Sequence, residues 1–258
     1  MIDIEKVKNE FEKYVENYDI KKGRVRLKKE HIERVTKLSK EIATKLNLTE
    51  EQIVLAETIG YFHDIGRFEQ IRKYDTFSDK ESENHAVLSC KVLFEEGLIH
   101  KFEIEKKYWK TIELAVLNHN KDKIQEGLNE EENLFAKIIR DADKLDIYYT
   151  ICNYDFESIF WYKNFDQEKI SELMMKEFKE NQYINYGDIK NNADQIVIFY
   201  AYIYDFNFKF SLEYLKNRKY LQEFTKAVIQ NFKAPKIEEQ VKEILKISEK
   251  YINQKTME

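Results

Sequence analysis

Six side chains could bind metal ions in this sequence, five of them at matching positions on separate apolar stripes and the sixth, Asp64, directly after His63. They are His31, His63, Asp64, His85, His119 and Asp143. Imidazole nitrogens and carboxylate oxygens are common ligands of divalent transition metals. Six of them are enough for two ions, and a pair of ions at one site can activate water or offset the charge of a reacting phosphate.

Helical spacing indicates that these side chains point towards a core. His31 is followed by Val35, Leu38 and Ile42 on one helix face. The other candidates have similar apolar neighbours: Ile59 for His63, Leu88 and Val92 for His85, Ile112 and Val116 for His119, and Ala136 and Ile139 for Asp143. A buried polar group without a partner costs roughly 2 kcal/mol or more. The stripes therefore predict that these groups meet each other around metal.

A single histidine on an apolar face is usually a core residue with one hydrogen bond. Four of the five histidines share the same geometry here, and carboxylates accompany them, so a metal site explains the set better. His100 fits no such pattern, and we expect it at the surface or in a loop.

Composition limits the classes of function. The net charge of −5 and the lack of long basic runs disfavour a dedicated nucleic-acid-binding protein but allow a nucleotide substrate. Cys90 and Cys152 form neither a disulfide framework nor a zinc spacing. The sequence shows no secretory signal and no apolar run of about 18 residues, so we expect a soluble cytoplasmic protein. It indicates no oligomeric state.

The sequence predicts an all-α protein. It has one proline and six glycines in 258 residues, and most windows have helical periodicity. Helices are expected at about 4–18, 28–46, 50–66, 82–95, 104–118, 131–149, 196–210, 214–232 and 237–251. Residues 68–81 are expected to form a loop with a short helical piece. Thr49 and Gln52 resemble a capping box.

The order of the candidate ligands resembles the HD-domain superfamily of metal-dependent phosphohydrolases. The resemblance is carried by His31, by His63-Asp64-Ile65-Gly66-Arg67 at a helix end, and by Asp141-Ala142-Asp143-Lys144-Leu145-Asp146 further along the chain. It implies an HD-domain helical bundle with an α-helical C-terminal extension. We expect an HD metal-binding catalytic core at 20–150, with an aromatic-rich helical extension at 151–258 packed on it.

The resemblance also implies roles for these residues. His31, His63, Asp64 and Asp143 would hold one ion, and Asp64 would bridge to a second ion held by His85 and His119. Asp141 is the alternative to Asp143, because two positions apart on a helix cannot share a face. Nitrogen-rich ligands suit Mn, Fe, Co, Ni or Zn better than Mg.

Basic residues beside the ligands favour a phosphorylated substrate. In the superfamily, side chains at positions such as Arg67 and Lys144 contact phosphate, and Arg34 and Lys121 are further candidates. The leading hypothesis is hydrolysis of a phosphate ester of a small nucleotide or related metabolite, with Asp64, Arg67 and Lys144 as catalytic residues. The alternatives are a diiron oxygenase of the same superfamily and a metal-bound regulatory module without turnover.

Overall fold

A computed structural model describes residues 2–154, 169–180 and 184–257. Every regular element in these ranges is a helix, which confirms the predicted all-α class. Among them, no helix combines the length and the apolar character needed to cross a membrane. The chain divides into two compact units, Met1–Asp146 and Ile147–Glu258.

The first unit carries all the candidate ligands. Its helices are α1 (Ile4–Val15), α2 (Gly23–Lys45), α3 (Glu50–Phe62), α4 (Gly66–Tyr74), α5 (His85–Cys90), α6 (Lys106–Asn118) and α7 (Glu130–Asn153), whose last turns belong to the second unit. A π-helical turn, Lys91–Glu95, extends α5. The core of the unit is aliphatic and aromatic; Ile32, Val35, Ile112 and Ile139 are fully buried in it.

Local signals explain where α3 begins. Thr49 accepts the backbone N–H of Gln52 through its hydroxyl, and the Gln52 side chain accepts the backbone N–H of Thr49. This reciprocal pair is the predicted capping box, and it satisfies two amide donors that the first turn would otherwise leave free. Glu50 and Glu51 in the same turn add favourable charge at the positive end of the helix.

Two glycines allow close approach between the helices that carry the candidate ligands. A Cβ on Gly60 would lie 2.5 Å from the Thr36 Cα, so α3 packs directly on the backbone of α2. A Cβ on Gly66 would lie 2.4 Å from the Ser89 amide nitrogen, at the contact of α4 with α5. Any larger residue at either position would force the helices apart.

The short helical piece expected within residues 68–81 is present as α4, which begins earlier, at Gly66, and runs to Tyr74. Asp75 ends it with φ of 51°. The helix predicted at 50–66 ends at Phe62 instead, before this glycine. In the structure the turn 63–65 ends one helix and starts the next: the Arg67 amide donates to the Asp64 carbonyl. His63 and Asp64 therefore lie in a tight turn between two helices rather than inside the last turn of one.

The helices of the second unit differ in extent from the predicted ones, and the last one is longer than the predicted 237–251. These are α8 (Glu172–Lys179), α9 (Asn192–Ala201), α10 (Lys209–Asn217), α11 (Tyr220–Asn231) and α12 (Pro235–Met257). A break at Lys219, with φ of 56°, divides the helix predicted at 214–232. The helix predicted at 196–210 ends at Ala201 and passes into a 3₁₀ turn at Tyr202–Tyr204.

Aromatic side chains form much of the second unit's core. Tyr148, Tyr200 and Phe224 are fully buried, and the Tyr200 and Thr225 hydroxyls are 2.5 Å apart. Phe156, Phe160, Trp161 and Tyr162, which belong to the same predicted aromatic extension, lie outside the described residues.

Candidate metal centre

Helices α2, α5, α6 and α7 and the turn between α3 and α4 bring the candidate ligands together. Two groups have ligand atoms close enough to share an ion: His31, His63 and Asp64 form one, and Asp64, His85 and His119 form the other. All five side chains are buried. Asp64 belongs to both groups, so the arrangement is a double site built around one carboxylate.

The first group lies between α2, α7 and the turn. His31 Nε2 is 3.3 Å from His63 Nε2 and 3.4 Å from Asp64 Oδ2. Asp143 extends this group from α7: its Oδ1 is 3.2 Å from His31 Nε2 and 3.9 Å from His63 Nε2. We call these four residues the first subsite.

The second group lies on the other side of Asp64. His85 Nε2 and His119 Nε2 are 3.0 Å apart. They lie 3.5 Å and 3.6 Å from Asp64 Oδ1, the oxygen that does not face His31. We call Asp64, His85 and His119 the second subsite.

Hydrogen bonds fix the tautomers of two histidines. His63 Nδ1 is 2.7 Å from the Gly60 carbonyl oxygen, and His119 Nδ1 is 2.7 Å from that of Val116. A carbonyl only accepts, so Nδ1 carries the proton in both rings. Each Nε2 then directs a lone pair into the cluster, which is the form that binds a metal.

Carboxylates orient the other two histidines. Asp146 Oδ2 lies 2.7 Å from His31 Nδ1, and Arg34 binds both Asp146 oxygens at 2.6 and 3.0 Å. Asp79 Oδ2 lies 2.6 Å from His85 Nδ1, and Arg67 donates to Asp79 Oδ1 at 3.1 Å. Partners of this kind fix the ring orientation of metal-binding histidines and increase their basicity.

The pKa values of the histidines in the cluster are strongly shifted. Burial lowers the pKa of His63 to about 3, and burial together with Arg67 lowers that of His85 to about 4. Burial and Lys28 also oppose the protonation of His31. The carboxylates around His31 outweigh both, however, and raise its pKa to about 10.

The carboxylates stay ionised in spite of their burial. Lys28, His63 and Arg67 together hold the pKa of Asp64 well below its usual range. The hydrogen bond and charge of His31 do the same for the pKa of Asp143. The cluster therefore contains two anions at neutral pH.

The donor set fits a metal ion. Asp64 Oδ1 is buried and has no hydrogen-bond partner among the described residues. A buried carboxylate oxygen in that state is costly unless a cation lies beside it. The imidazole nitrogens that converge on it are ligands of Mn, Fe, Co, Ni and Zn.

Lys28 is a cation at the site that the sequence reasoning missed. Its Nζ donates to Asp64 Oδ2 at 2.8 Å, and its side chain is only 17% exposed. The side chain also lies over the ring of Phe77. The signal in the sequence was its position three residues before His31, one helical turn away.

Asp79 and Asp146 were also missed as partners of the ligands. Asp146 lies one turn after Asp143 on α7, so helical spacing could have revealed it. Asp79 lies in the segment between α4 and α5, where no periodicity exists to place it.

The predicted basic residues have different surroundings. Arg67 Nε is 3.6 Å from Asp64 Oδ1, while its Nη1 donates to the Phe77 carbonyl at 2.7 Å and to Gln70 and Asp79. Lys144 follows Asp143 on α7 and is buried, as is Asp141 on the same helix.

The other basic candidates, Arg34 and Lys121, bind partners outside the ligand cluster. Arg34 pairs with Asp146 rather than standing alone near His31, and Lys121 donates to Gln125 at 2.9 Å. His100 is exposed and its ring lies against Trp109, in agreement with its expected surface position.

Comparison with known protein families matches residues 29–148 to the HD domain. This part of the chain is therefore similar to HD domains, and it contains every residue of both subsites. HD domains define a superfamily of metal-dependent hydrolases. No curated protein and no solved structure matches the chain.

Proposed function

We propose that the two subsites bind two divalent transition-metal ions. His31, His63, Asp64 and Asp143 would hold the first ion, and Asp64, His85 and His119 the second. The observation that carries this proposal is the position of Asp64, because each of its oxygens faces a different group of imidazole nitrogens. Mn, Fe, Co, Ni and Zn are the candidates, since each accepts both imidazole and carboxylate ligands.

We further propose that the protein is a metal-dependent phosphohydrolase that acts on a phosphate ester of a small nucleotide or related metabolite. When bound, two divalent ions would supply a water molecule of lowered pKa and charge to stabilise the phosphoryl oxygens. The ions would also leave the site with about two net positive charges against its two carboxylates, and so attract an anion.

The chain's own side chains fit that chemistry. Asp64 is held ionised and rigid between its neighbours, so it can orient a water molecule for attack. Lys28 carries a positive charge at the cluster and can bind a phosphoryl oxygen there. Arg67 and Lys144 remain proposed catalytic residues; the bonds of Arg67 to Asp79 and Phe77 favour a supporting role over direct phosphate binding.

Anaerobic hydrolysis tests this function. The protein is loaded with Mn²⁺ or Co²⁺ and offered nucleoside mono-, di- and triphosphates, dinucleotides and sugar phosphates without O₂. We expect release of phosphate or of a nucleoside phosphate, and loss of release in His85→Ala. His100→Ala is the matched control, because that histidine lies outside the cluster and should leave turnover unchanged.

The alternatives give different results in the same assay. Oxygen consumption by the iron-loaded protein, without hydrolysis of any ester, would identify a diiron oxygenase. Two bound metals with neither activity would identify a regulatory module.

A further inference from the structure

A buried glutamine of α4 forms hydrogen bonds to the segment between α4 and α5, residues 75–84. Gln70 is fully buried, and its Nε2 lies 2.9 Å from Asp79 Oδ1, 2.9 Å from Ser82 Oγ and 3.0 Å from the Glu83 carbonyl oxygen. These contacts reach from residue 79 to residue 83. The conformation of this segment therefore depends on a side chain of α4.

Arg67 holds the same segment from one turn earlier on α4. Its Nη1 lies 2.8 Å from Gln70 Oε1, 2.7 Å from the Phe77 carbonyl oxygen and 3.1 Å from Asp79 Oδ1. Its Nε is buried and lies 3.6 Å from Asp64 Oδ1. We call Arg67, Gln70 and Asp79 the α4 clasp.

The α4 clasp ends on a ligand of the second subsite. Asp79 uses its other oxygen, Oδ2, to contact His85 Nδ1 at 2.6 Å. The Asp79 side chain is 28% exposed, and it comes from a segment without regular structure. The orientation of the His85 ring therefore depends on whether residues 75–84 are closed onto α4.

The first subsite has no such dependence. His31 and Arg34 lie on α2, a helix of 23 residues, and Asp146 lies on α7, a helix of 24 residues. The Asp146 side chain is 1% exposed. Helices hold a ligand more precisely than a loop does, so His31 has a pre-formed position and His85 has a conditional one.

The number and charge of the ligands also favour metal binding at the first subsite over the second. The first subsite offers His31 and His63 with the carboxylates of Asp64 and Asp143, which makes four ligands of two negative charges. The second offers two imidazoles and shares the single charge of Asp64. A cation lies beside each Asp64 oxygen, Lys28 at 2.8 Å from Oδ2 and Arg67 at 3.6 Å from Oδ1, so the difference between the subsites rests on their ligands. Fewer anionic ligands weaken the binding of a dication.

We propose that the two subsites fill in order, the first before the second, and that the second holds its ion only when the α4 clasp closes residues 75–84. Asp79 and Arg67 are then positioning residues for His85. This inference rests on the two-metal centre of the proposed function, and it does not require that the protein hydrolyse an ester.

A titration of the metal-free protein with Co²⁺ tests the order of binding. The Co²⁺ absorption bands report coordination, and the metal content after gel filtration reports stoichiometry. We expect two separate steps in the wild type. Asp79→Asn, which has the same shape and lacks the charge, should weaken the second step about 10- to 100-fold. It should leave the first step within about twofold of the wild-type value.

Matched variants separate a local role from general damage. Glu81→Gln removes a charge from the same segment. Glu81 accepts a hydrogen bond from the Thr76 hydroxyl, away from the α4 clasp, so this variant should leave both steps unchanged. Asp146→Asn should weaken the first step instead. Arg67→Lys keeps the charge but not the fork of donors, and should reproduce the Asp79→Asn pattern if the clasp orients His85. Circular dichroism of each variant establishes that the helices are intact.

Hydrogen exchange supplies a measurement that depends neither on Co²⁺ absorption nor on enzymatic turnover. The amides of residues 75–84 should gain protection with the second equivalent of Co²⁺ and not with the first. Two equal steps in the wild type, or equal loss of both steps in Asp79→Asn, would overturn the proposal. Ordered binding by a protein that hydrolyses no ester would sustain it while the proposed phosphohydrolase activity fails.

Discussion

His31 carries a proton at neutral pH when no metal is bound. Burial opposes that proton, yet contacts with Asp143, Asp146 and Asp64 raise the pKa of His31 to about 10 from an ordinary value of 6.5. The protonated form stabilises the metal-free fold below pH 6.5, and this contribution is lost as the pH rises towards 10. A metal ion at the first subsite has to displace this proton, because only a neutral imidazole can be a ligand.

Metal binding at the first subsite should therefore release protons. At pH 7.5 we expect about one proton per first equivalent of metal, from His31, and none from His63, whose pKa of about 3 leaves it already neutral. The affinity should rise with pH up to about 10, where His31 loses its proton without metal. Calorimetry in buffers of different ionisation enthalpy measures the number. In the His31→Ala variant this release should disappear; its persistence there would assign the proton to another group.

Lys28 and Lys29 form a natural matched pair at the residue scale. Lys28 contacts Asp64, whereas the neighbouring Lys29 pairs with Glu12 and Glu33 away from the cluster. Lys28→Met should raise KM for a phosphorylated substrate about tenfold or more, because a charge-assisted bond to phosphate is lost. Lys29→Met should leave KM unchanged. A steady-state comparison with metal content measured in parallel decides this, and equal KM values in the two variants would remove Lys28 from the substrate site.

The predictability of the site varies with the kind of element that carries each residue. His31 and Asp143 could be placed because each lies on a helix with an apolar stripe, where spacing determines direction. Asp146 was within reach of the same reasoning. Asp79 was not, because its contact with His85 depends on a loop that Gln70 and Arg67 hold through long-range bonds.

The helices themselves were predicted better than their ends. The capping box of Thr49 and Gln52 placed the start of α3 correctly, since its bonds are local. The start of α4 at Gly66 was missed, because this glycine serves a tertiary contact with Ser89 rather than a helix stop. The break at Lys219 was missed for a similar reason: a lysine with positive φ gives no sign of its conformation in the sequence.

Gly66 links α4 to α5 and thereby sets the distance between Asp64 and His85. Gly66→Ala should place a methyl group against the Ser89 backbone and lower the free energy of unfolding by about 1–3 kcal/mol. The second subsite should weaken more than the first, because Asp143 and His31 lie on other helices. Urea unfolding and metal titration measure the two effects. Gly23→Ala, where nothing lies within 4 Å of the added carbon, is the control and should be neutral.

At the scale of the whole molecule, the metal centre belongs to one of the two units. All six proposed ligands precede Ile147, the first residue of the second unit. The net charge of −5 describes the whole chain and does not reveal the local cluster of imidazoles and two carboxylates. Composition could therefore exclude classes of partner, while only the spacing of histidines pointed to the chemistry.

Metal binding should stabilise the first unit selectively. An ion present at a hundredfold excess over its Kd adds about 2.7 kcal/mol to the free energy of unfolding if it binds only the folded state. For a unit of this size that amounts to a rise in Tm of roughly 5–10 °C. Trp109 reports this unit, since its indole donates to the Ile104 carbonyl and it packs against His100.

A tryptophan variant makes that stabilisation measurable. The chain has two tryptophans, so Trp161→Phe leaves Trp109 as the single fluorescent reporter. In this background Mn²⁺ should raise the Tm seen by Trp109 fluorescence, and a chelator should reverse the change. Adding His31→Ala and His63→Ala together should strongly reduce the shift, because the first subsite then keeps only its two carboxylates and the second fills after it. An undiminished shift in that variant would mean that the stabilising ion binds outside the first subsite.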